Sequence, residues 1–111
     1  MFSNEDIERG KTLAFISYLT IFGLVIGLIM NNESKNPFTA FHVRQSLGLW
    51  GSFFLLGYFI GIFDSWNITF AFWIFFGALF IYGFFCALTG KAIPVPLFGK
   101  FYQKLFEKVN K

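Results

Sequence analysis

The chain has 111 residues, 56% of them hydrophobic and 23% aromatic, and carries a net charge of +3. Its uncharged apolar runs occupy most of that length and leave no room for a separate soluble domain, so the reading is a single membrane domain over residues 1–111. The one cysteine, Cys86, excludes an intramolecular disulfide and a cysteine-held metal cluster, and reads as a small buried apolar residue.

The segment Met1 to Lys11 contains Glu5, Asp6 and Glu8, and no small-x-small cleavage site follows the first apolar run. That argues against a cleaved secretory signal and for retention of the run as a span. Ser3 and Asp6 have the spacing of a capping box, with Asp in the acidic position, so a short polar helix is expected to lead into the membrane. Thr12–Asn32, Gln45–Phe63 and Ser65–Gly90 contain no Asp, Glu, Lys, Arg or His. Each meets the ~20 apolar residues that cross a bilayer at ~1.5 Å per residue. Spans are expected over about 12–30, 45–63 and 68–89. In the third, Phe70, Phe72, Ile74, Phe75, Phe76, Leu79, Phe80, Ile81, Phe84 and Phe85 surround the helix completely. A surface helix of a soluble protein would show a polar face.

Asn31 to Lys35 reads as a polar turn. Asn36-Pro37 then looks like an N-cap followed by proline at the first helical position, where its missing N–H leaves nothing unsatisfied. The second helix is therefore expected to start at Pro37, with its first turns among headgroups. Asp64 to Asn67 is a tight turn. Gly90 suits the residue just past a helix end, with Lys91 favourable beside the negative end of the dipole. Pro94 and Pro96 stop the helix. From 97 to 110, Leu97, Phe98, Phe101, Tyr102, Leu105, Phe106 and Val109 recur at helical spacing, while Lys100, Lys104 and Lys108 form a separate stripe. The pattern is an amphipathic helix in the headgroup layer with its lysines against anionic lipid; the alternative is packing against the protein's own spans.

With three spans, Lys35, Arg44, Lys91, Lys100, Lys104, Lys108 and Lys111 share one side, and Arg9 and Lys11 the other. The positive-inside rule then places the N-terminus outside and the C-terminus in the cytoplasm. The Phe-, Lys- and Asn-rich composition suggests a bacterial origin, hence the bacterial cytoplasmic membrane. Basic residues that flank spans point to lipid, not nucleic acid.

The densest polar cluster is Asn36 to Ser46. On a helix, Phe38, Phe41, His42, Gln45 and Leu49 share a face, and Arg44 points away from His42. Arg44 is expected to snorkel to lipid phosphate. His42 and Gln45 are expected to face the protein and to join the start of the second span to the exit of the third, Gly90 to Pro96. Such a contact makes them structural glue. His42 has no carboxylate, nucleophile or metal companion in sequence, so catalysis is not expected, and neither is a cofactor. Gly23/Gly27 and Gly57/Gly61 have the spacing that lets helices approach closely. No ionisable group lies within the three runs, which argues against a coupled transporter and leaves a passive, self-assembled pore open.

Phe41-His42-x-Arg44-Gln45-Ser46 at the start of one span, with Leu88-Thr89-Gly90-Lys91-x-Ile93-Pro94-x-Pro96 after the next, resembles a widespread family of small bacterial membrane proteins of unassigned function. That family is related to the twenty-kilodalton membrane subunit of the chloroplast inner-envelope import translocon. Bacterial members look like Phe-His-x-x-Gln-Ala at the first site; chloroplast members have Asn where His42 stands. The resemblance covers about residues 12–103. Ser46 departs from the usual Ala but stays small, and the chloroplast relatives resemble four-span proteins, so a channel role does not carry over. The resemblance implies a non-catalytic membrane subunit, an accessory to protein translocation or insertion, with other membrane subunits as partners. The competing reading is a self-assembling pore or small-molecule permease. Both share an all-α fold of three transmembrane helices and an amphipathic C-terminal helix.

Overall fold

Ser3, Thr20, Asn36 and Ser65 each begin a helix, and each does so with its own side chain. Their oxygens accept from the backbone N–H groups of Asp6, Gly23, Thr39 and Ile68. The computed structural model describes residues 2–109. Its helices are α1 (Asn4–Leu19), α2 (Ile21–Ser34), α3 (Pro37–Ile62), α4 (Trp66–Leu88) and α5 (Gly99–Leu105), and the described residues contain no strand. Two of them, α3 and α4, are long and apolar enough to cross a membrane. At 26 and 23 residues they reach about 39 and 35 Å at ~1.5 Å per residue.

The first apolar run differs from expectation. It is not one span. The chain is helical without interruption from Asn4 to Leu19, goes extended at Thr20 (φ −150°, ψ 166°), and starts again at Ile21. No proline or positive-φ glycine causes the break. Thr20 Oγ1 caps α2 through Gly23 N–H at 3.0 Å, and α2 folds back along α1. Gly23 makes the reversal possible, since a Cβ there would collide with the carbonyl oxygen of Ile16. Farther along, a Cβ on Gly27 would sit 3.6 Å from Ser17 Cβ and 3.7 Å from the Leu13 carbonyl oxygen. The first Gly-x-x-x-Gly pair therefore faces α1, and at Gly27 also α3, where a Cβ would stand 3.3 Å from Val43 Cγ2. The second is different: Gly57 would meet only Phe72, and Gly61 faces open space.

The fold-back changes which segments share an end. Asn36 Nδ2 donates to the Asp6 carbonyl at 2.9 Å, and Thr39 Oγ1 to the Gly10 carbonyl at 2.9 Å. A Cβ on Gly90 would touch Ile7 at 2.9 Å. The N-terminus of α1, the start of α3 and the exit of α4 thus lie together. The expected arrangement, with the N-terminal segment and the C-terminal tail on opposite sides, does not describe this geometry. Arg9, Lys11, Lys35, Arg44 and Lys91 gather at that one end. The other end, from Phe63 to Trp66, has Asp64 as its only charge.

The core is lopsided in the same way. In α3 the buried residues run from Phe38 to Leu49 and stop there; in α4 they run from Phe76 to Ala87. Tyr18, from α1, packs so closely on α4 that a Cβ on Gly83 would stand 2.6 Å from its ring. Beyond the tip of the hairpin α3 and α4 continue together, with Phe98 of the tail edge-on to Phe75 at 6.0 Å. The two helices meet through Phe53, which stacks on Phe72 at 5.4 Å and contacts Phe76 edge-on at 6.0 Å.

The tail forms less helix than expected. Leu97 has a left-handed φ of 71°, so α5 starts only at Gly99, and Phe106 to Val109 is a series of turns. Residue 110, the last of the expected helix, lies outside the described residues.

Gly23→Ala tests the hairpin. It should lower the apparent unfolding temperature in detergent, with a loss in the range of ~1–3 kcal/mol typical of overpacking. Gly61→Ala, at an open site, should leave stability unchanged or raise it slightly.

Candidate functional site

The first three turns of α3 place Thr39, His42, Gln45 and Ser46 on the side that faces α1 and the α4 exit, and all four are fully buried. In hydrocarbon or a protein core each polar atom needs a partner. The structure supplies one for every buried side-chain nitrogen and oxygen among the described residues.

The hydrogen bonds of His42 define its tautomer. Nε2 lies 2.8 Å from the carbonyl oxygen of Lys91, which can only accept, so Nε2 carries the proton. Nδ1 lies 2.7 Å from Tyr18 Oη and must accept from the phenol. Tyr18 Oη in turn accepts from Gln45 Nε2 at 2.9 Å. Gln45 Oε1 then accepts from the backbone N–H of Val95 at 2.8 Å. Donors and acceptors alternate along the chain of bonds from Lys91 to Val95. A second proton on His42 would set Nδ1–H against the phenolic O–H, so the network fits a neutral ring. Phe38 and Phe41 enclose that ring edge-on, at 4.8 and 5.2 Å.

The exit of α4 shows why glutamine belongs at position 45. Lys91 to Phe98 is not helical, so its backbone groups have no automatic partners. Pro94 and Pro96 carry no N–H, which leaves Val95 as the sole amide donor of the triplet; Val95 is buried, and Gln45 receives it. Gly90, at φ 77°, makes the turn that sends the chain back toward α3. The structure therefore brings His42 and Gln45 to the segment Gly90 to Pro96, through Lys91 and Val95.

Two residues missed by sequence reasoning complete the joint. Tyr18 bridges His42 and Gln45 from α1. Ser17 offers a carbonyl oxygen that the break at Thr20 has deprived of its helical partner. Ser46 Oγ donates to that oxygen, and Trp50 Nε1 donates to it at 3.2 Å. The signal that could have revealed them is the row Ser17, Tyr18, Thr20, the only polar side chains between Thr12 and Asn31.

Arg44 does not behave as expected. It turns to the C-terminal segment, where Nε donates to the Val109 carbonyl at 3.1 Å and Nη1 to Gln103 Oε1 at 3.3 Å. Gln103 Nε2 returns a bond of 2.7 Å to the Phe41 carbonyl. Tyr102 is buried over Gly48 and donates Oη to Ser52 Oγ at 2.7 Å; burial raises its phenol above the ordinary range. The tail is thus pinned to α3 by a polar clamp. Lys100, Lys104 and Lys108 are exposed, as are Leu97, Phe101 and Leu105.

No cluster of three His, Cys, Asp or Glu side chains among the described residues could hold a metal ion. Both nitrogens of the only histidine are engaged in bonds that join three segments. The chain matches no protein-family model, no curated protein and no solved structure.

Gln45→Leu leaves the Val95 amide and the Tyr18–His42 pair short of partners, and should destabilise the protein by ~1–3 kcal/mol. Ser65→Ala, which removes a 3.5 Å cap bond at the opposite end, should cost less. The chloroplast-type substitution His42→Asn should also destabilise, since the shorter amide cannot reach both Tyr18 and Lys91. Thermal unfolding in one detergent ranks all three; a tolerated Gln45→Leu would break the account of the joint.

Proposed function

We propose that the chain is a non-catalytic integral membrane subunit, an accessory component of protein translocation or insertion. One observation carries the membrane part. Only 22% and 28% of the most apolar stretches of α3 and α4 are buried, whereas the core helix of a soluble protein would be mostly buried. Their outward faces carry Leu55, Phe59, Ile62, Phe70, Ile74 and Ile81, each more than half exposed. An apolar surface of that extent on both helices suits lipid or a membrane partner.

The topology we infer is two full spans, α3 and α4, with α1 and α2 as a re-entrant hairpin. The hairpin enters and leaves at the basic end, and the C-terminal segment runs along α3 from Tyr102 at Gly48 and Ser52 to Val109 at Arg44. The arrangement accounts for the charges better than three spans do. Arg9 and Lys11 join Lys35, Arg44 and Lys91, and the opposite end has no basic residue. The positive-inside rule then directs the basic end, with the N-terminal segment, to the cytoplasm of a bacterial cell. Lys100, Lys104 and Lys108 are free to meet anionic headgroups, at roughly 1 kcal/mol per residue near the surface.

The accessory role rests on the resemblance of Phe41 to Ser46 and Leu88 to Pro96 to the import-component-like family, and on the chemistry of the joint. His42 and Gln45 of the motif are engaged with Tyr18 and with backbone. The same satisfaction disfavours the pore reading, since the buried polar side chains line no passage.

Single-cysteine variants in a Cys86→Ala background discriminate the topologies. In intact cells, a membrane-impermeant maleimide should label Ser65→Cys and spare Ser3→Cys and Ser34→Cys. Labelling of Ser3→Cys with Ser34→Cys spared would restore the three-span arrangement. Mild-detergent purification tests the role: co-purification of a translocation or insertion component supports it, and a homo-oligomer that makes liposomes leak to ions replaces it.

A further inference from the structure

The hairpin stops partway along the spans, and what lies beyond its tip has a shape of its own. α1 runs beside α3 in steady register, with Gly10 at Thr39 and Ser17 at Ser46 and Trp50. Thr20 ends it close to the level of Trp50. From there α3 continues to Ile62, about 18 Å further at ~1.5 Å per residue. The stripe of α3 that covers the hairpin continues as Phe53, Gly57 and Gly61, and that of α4 as Phe76, Trp73 and Thr69. These residues line two adjoining hollows of about 330 and 300 Å³, which share Phe53 and Trp73. Neither hollow has a charged residue in its lining. The lower one is floored by Trp50, whose indole N–H is already given to Ser17. Tyr58 and Thr69 stand in the upper one, toward the end that carries Asp64.

We propose that this groove is a single-leaflet lipid site, which takes one acyl chain of a lipid from the leaflet opposite the basic end. The proposal rests on the two-span reading above. Height selects the occupant. A bilayer's hydrocarbon core is ~30 Å thick, so one leaflet contributes ~15 Å, close to the length of groove above the tip. A partner helix that crosses the membrane needs the full thickness, and in this groove its lower half would run into Ser17 to Thr20. A second copy of α3 or α4 fails for the same reason. A chain that hangs from the far headgroup layer ends where the hairpin begins. The concave, aromatic walls surround it on several sides, as a flat lipid-facing helix surface does not.

The experiment uses the full chain reconstituted in bilayers that contain a phospholipid with a photoactivatable diazirine near the end of one acyl chain. Adducts are located by peptide mass spectrometry. Labelling at Trp50, Phe53 and Trp73 should exceed that at Leu55, Ile74 and Ile81, which face outward, by several-fold. Gly61→Leu and Gly77→Leu project into the hollows from positions with no atom within 4 Å, so the fold should survive them. Both should sharply reduce the groove adducts. Gly51→Leu, equally open but outside the groove lining, should leave them unchanged. Even labelling of groove and outward faces, or groove labelling indifferent to Gly61→Leu and Gly77→Leu, overturns the lipid site alone. Absence of adducts anywhere on α3 and α4 overturns the membrane reading with it.

Discussion

The constraint on which the structure turns is the carbonyl oxygen of Ser17. When a helix breaks inside a low-dielectric environment, the carbonyls of its last turn lose their partners, and water is not there to replace them. The break at Thr20 creates that situation for Ser17, which is fully buried. Ser46 and Trp50 relieve it from α3. Because the relief comes from another helix, the break and the helix packing are one event: α1 cannot end at Leu19 unless α3 lies alongside in the right register. That register in turn sets Tyr18 beside His42 and Gln45. The remaining contacts of the joint follow, through His42 to Lys91 and through Gln45 to Val95.

The same constraint links two prolines and a glutamine at the exit of α4. An unwound segment that returns to the protein interior brings amide donors with it. Prolines reduce their number, and a long side-chain amide on a rigid helix receives the one that remains. Glutamine offers an acceptor to Val95 and a donor to Tyr18 from two separate atoms at the end of a long side chain, whereas an ionised carboxylate only accepts. The histidine fits by the same logic: a neutral ring presents one donor and one acceptor on opposite sides, to Lys91 and Tyr18. Each polar atom of the pair has a structural partner.

Much of the helical layout was legible because its signals are local. Asn36-Pro37 announced the start of α3, Asp64-Ser65 the turn into α4, and Gly90 its end; the convergence of His42 and Gln45 on the exit could be reasoned from shared faces and proximity along the bilayer normal. The hairpin was not legible in the same way. Ile16 to Gly23 reads as apolar membrane sequence, and hydropathy does not register which carbonyls will find donors. The residues that stabilise the break, Ser46 and Trp50, lie about thirty positions away in the chain and belong to a span that looks unremarkable by itself. Arg44 was misread for a related reason. Its snorkelling to lipid is the default for an arginine at a bilayer boundary, and only the path of the tail past Tyr102 puts the Gln103 side chain and the Val109 carbonyl within its reach.

The lopsided core follows from these contacts and bears on what such a protein can do in a membrane. Packing, polar satisfaction and basic charge are concentrated in the half that contains the hairpin, while the other half is a pair of aromatic helices with open flanks. In the first half α1, α3 and the exit of α4 are tied to one another by buried hydrogen bonds. The second is held by ring contacts such as Phe53 with Phe72, which are individually worth ~0.5–1.5 kcal/mol and tolerate rearrangement. A packed, charged base with an exposed aromatic extension accords with the proposed membrane role. The buried polar side chains stop short of Trp50, where the hairpin ends, and beyond that level aromatic contacts such as Phe53 with Phe72 join α3 to α4.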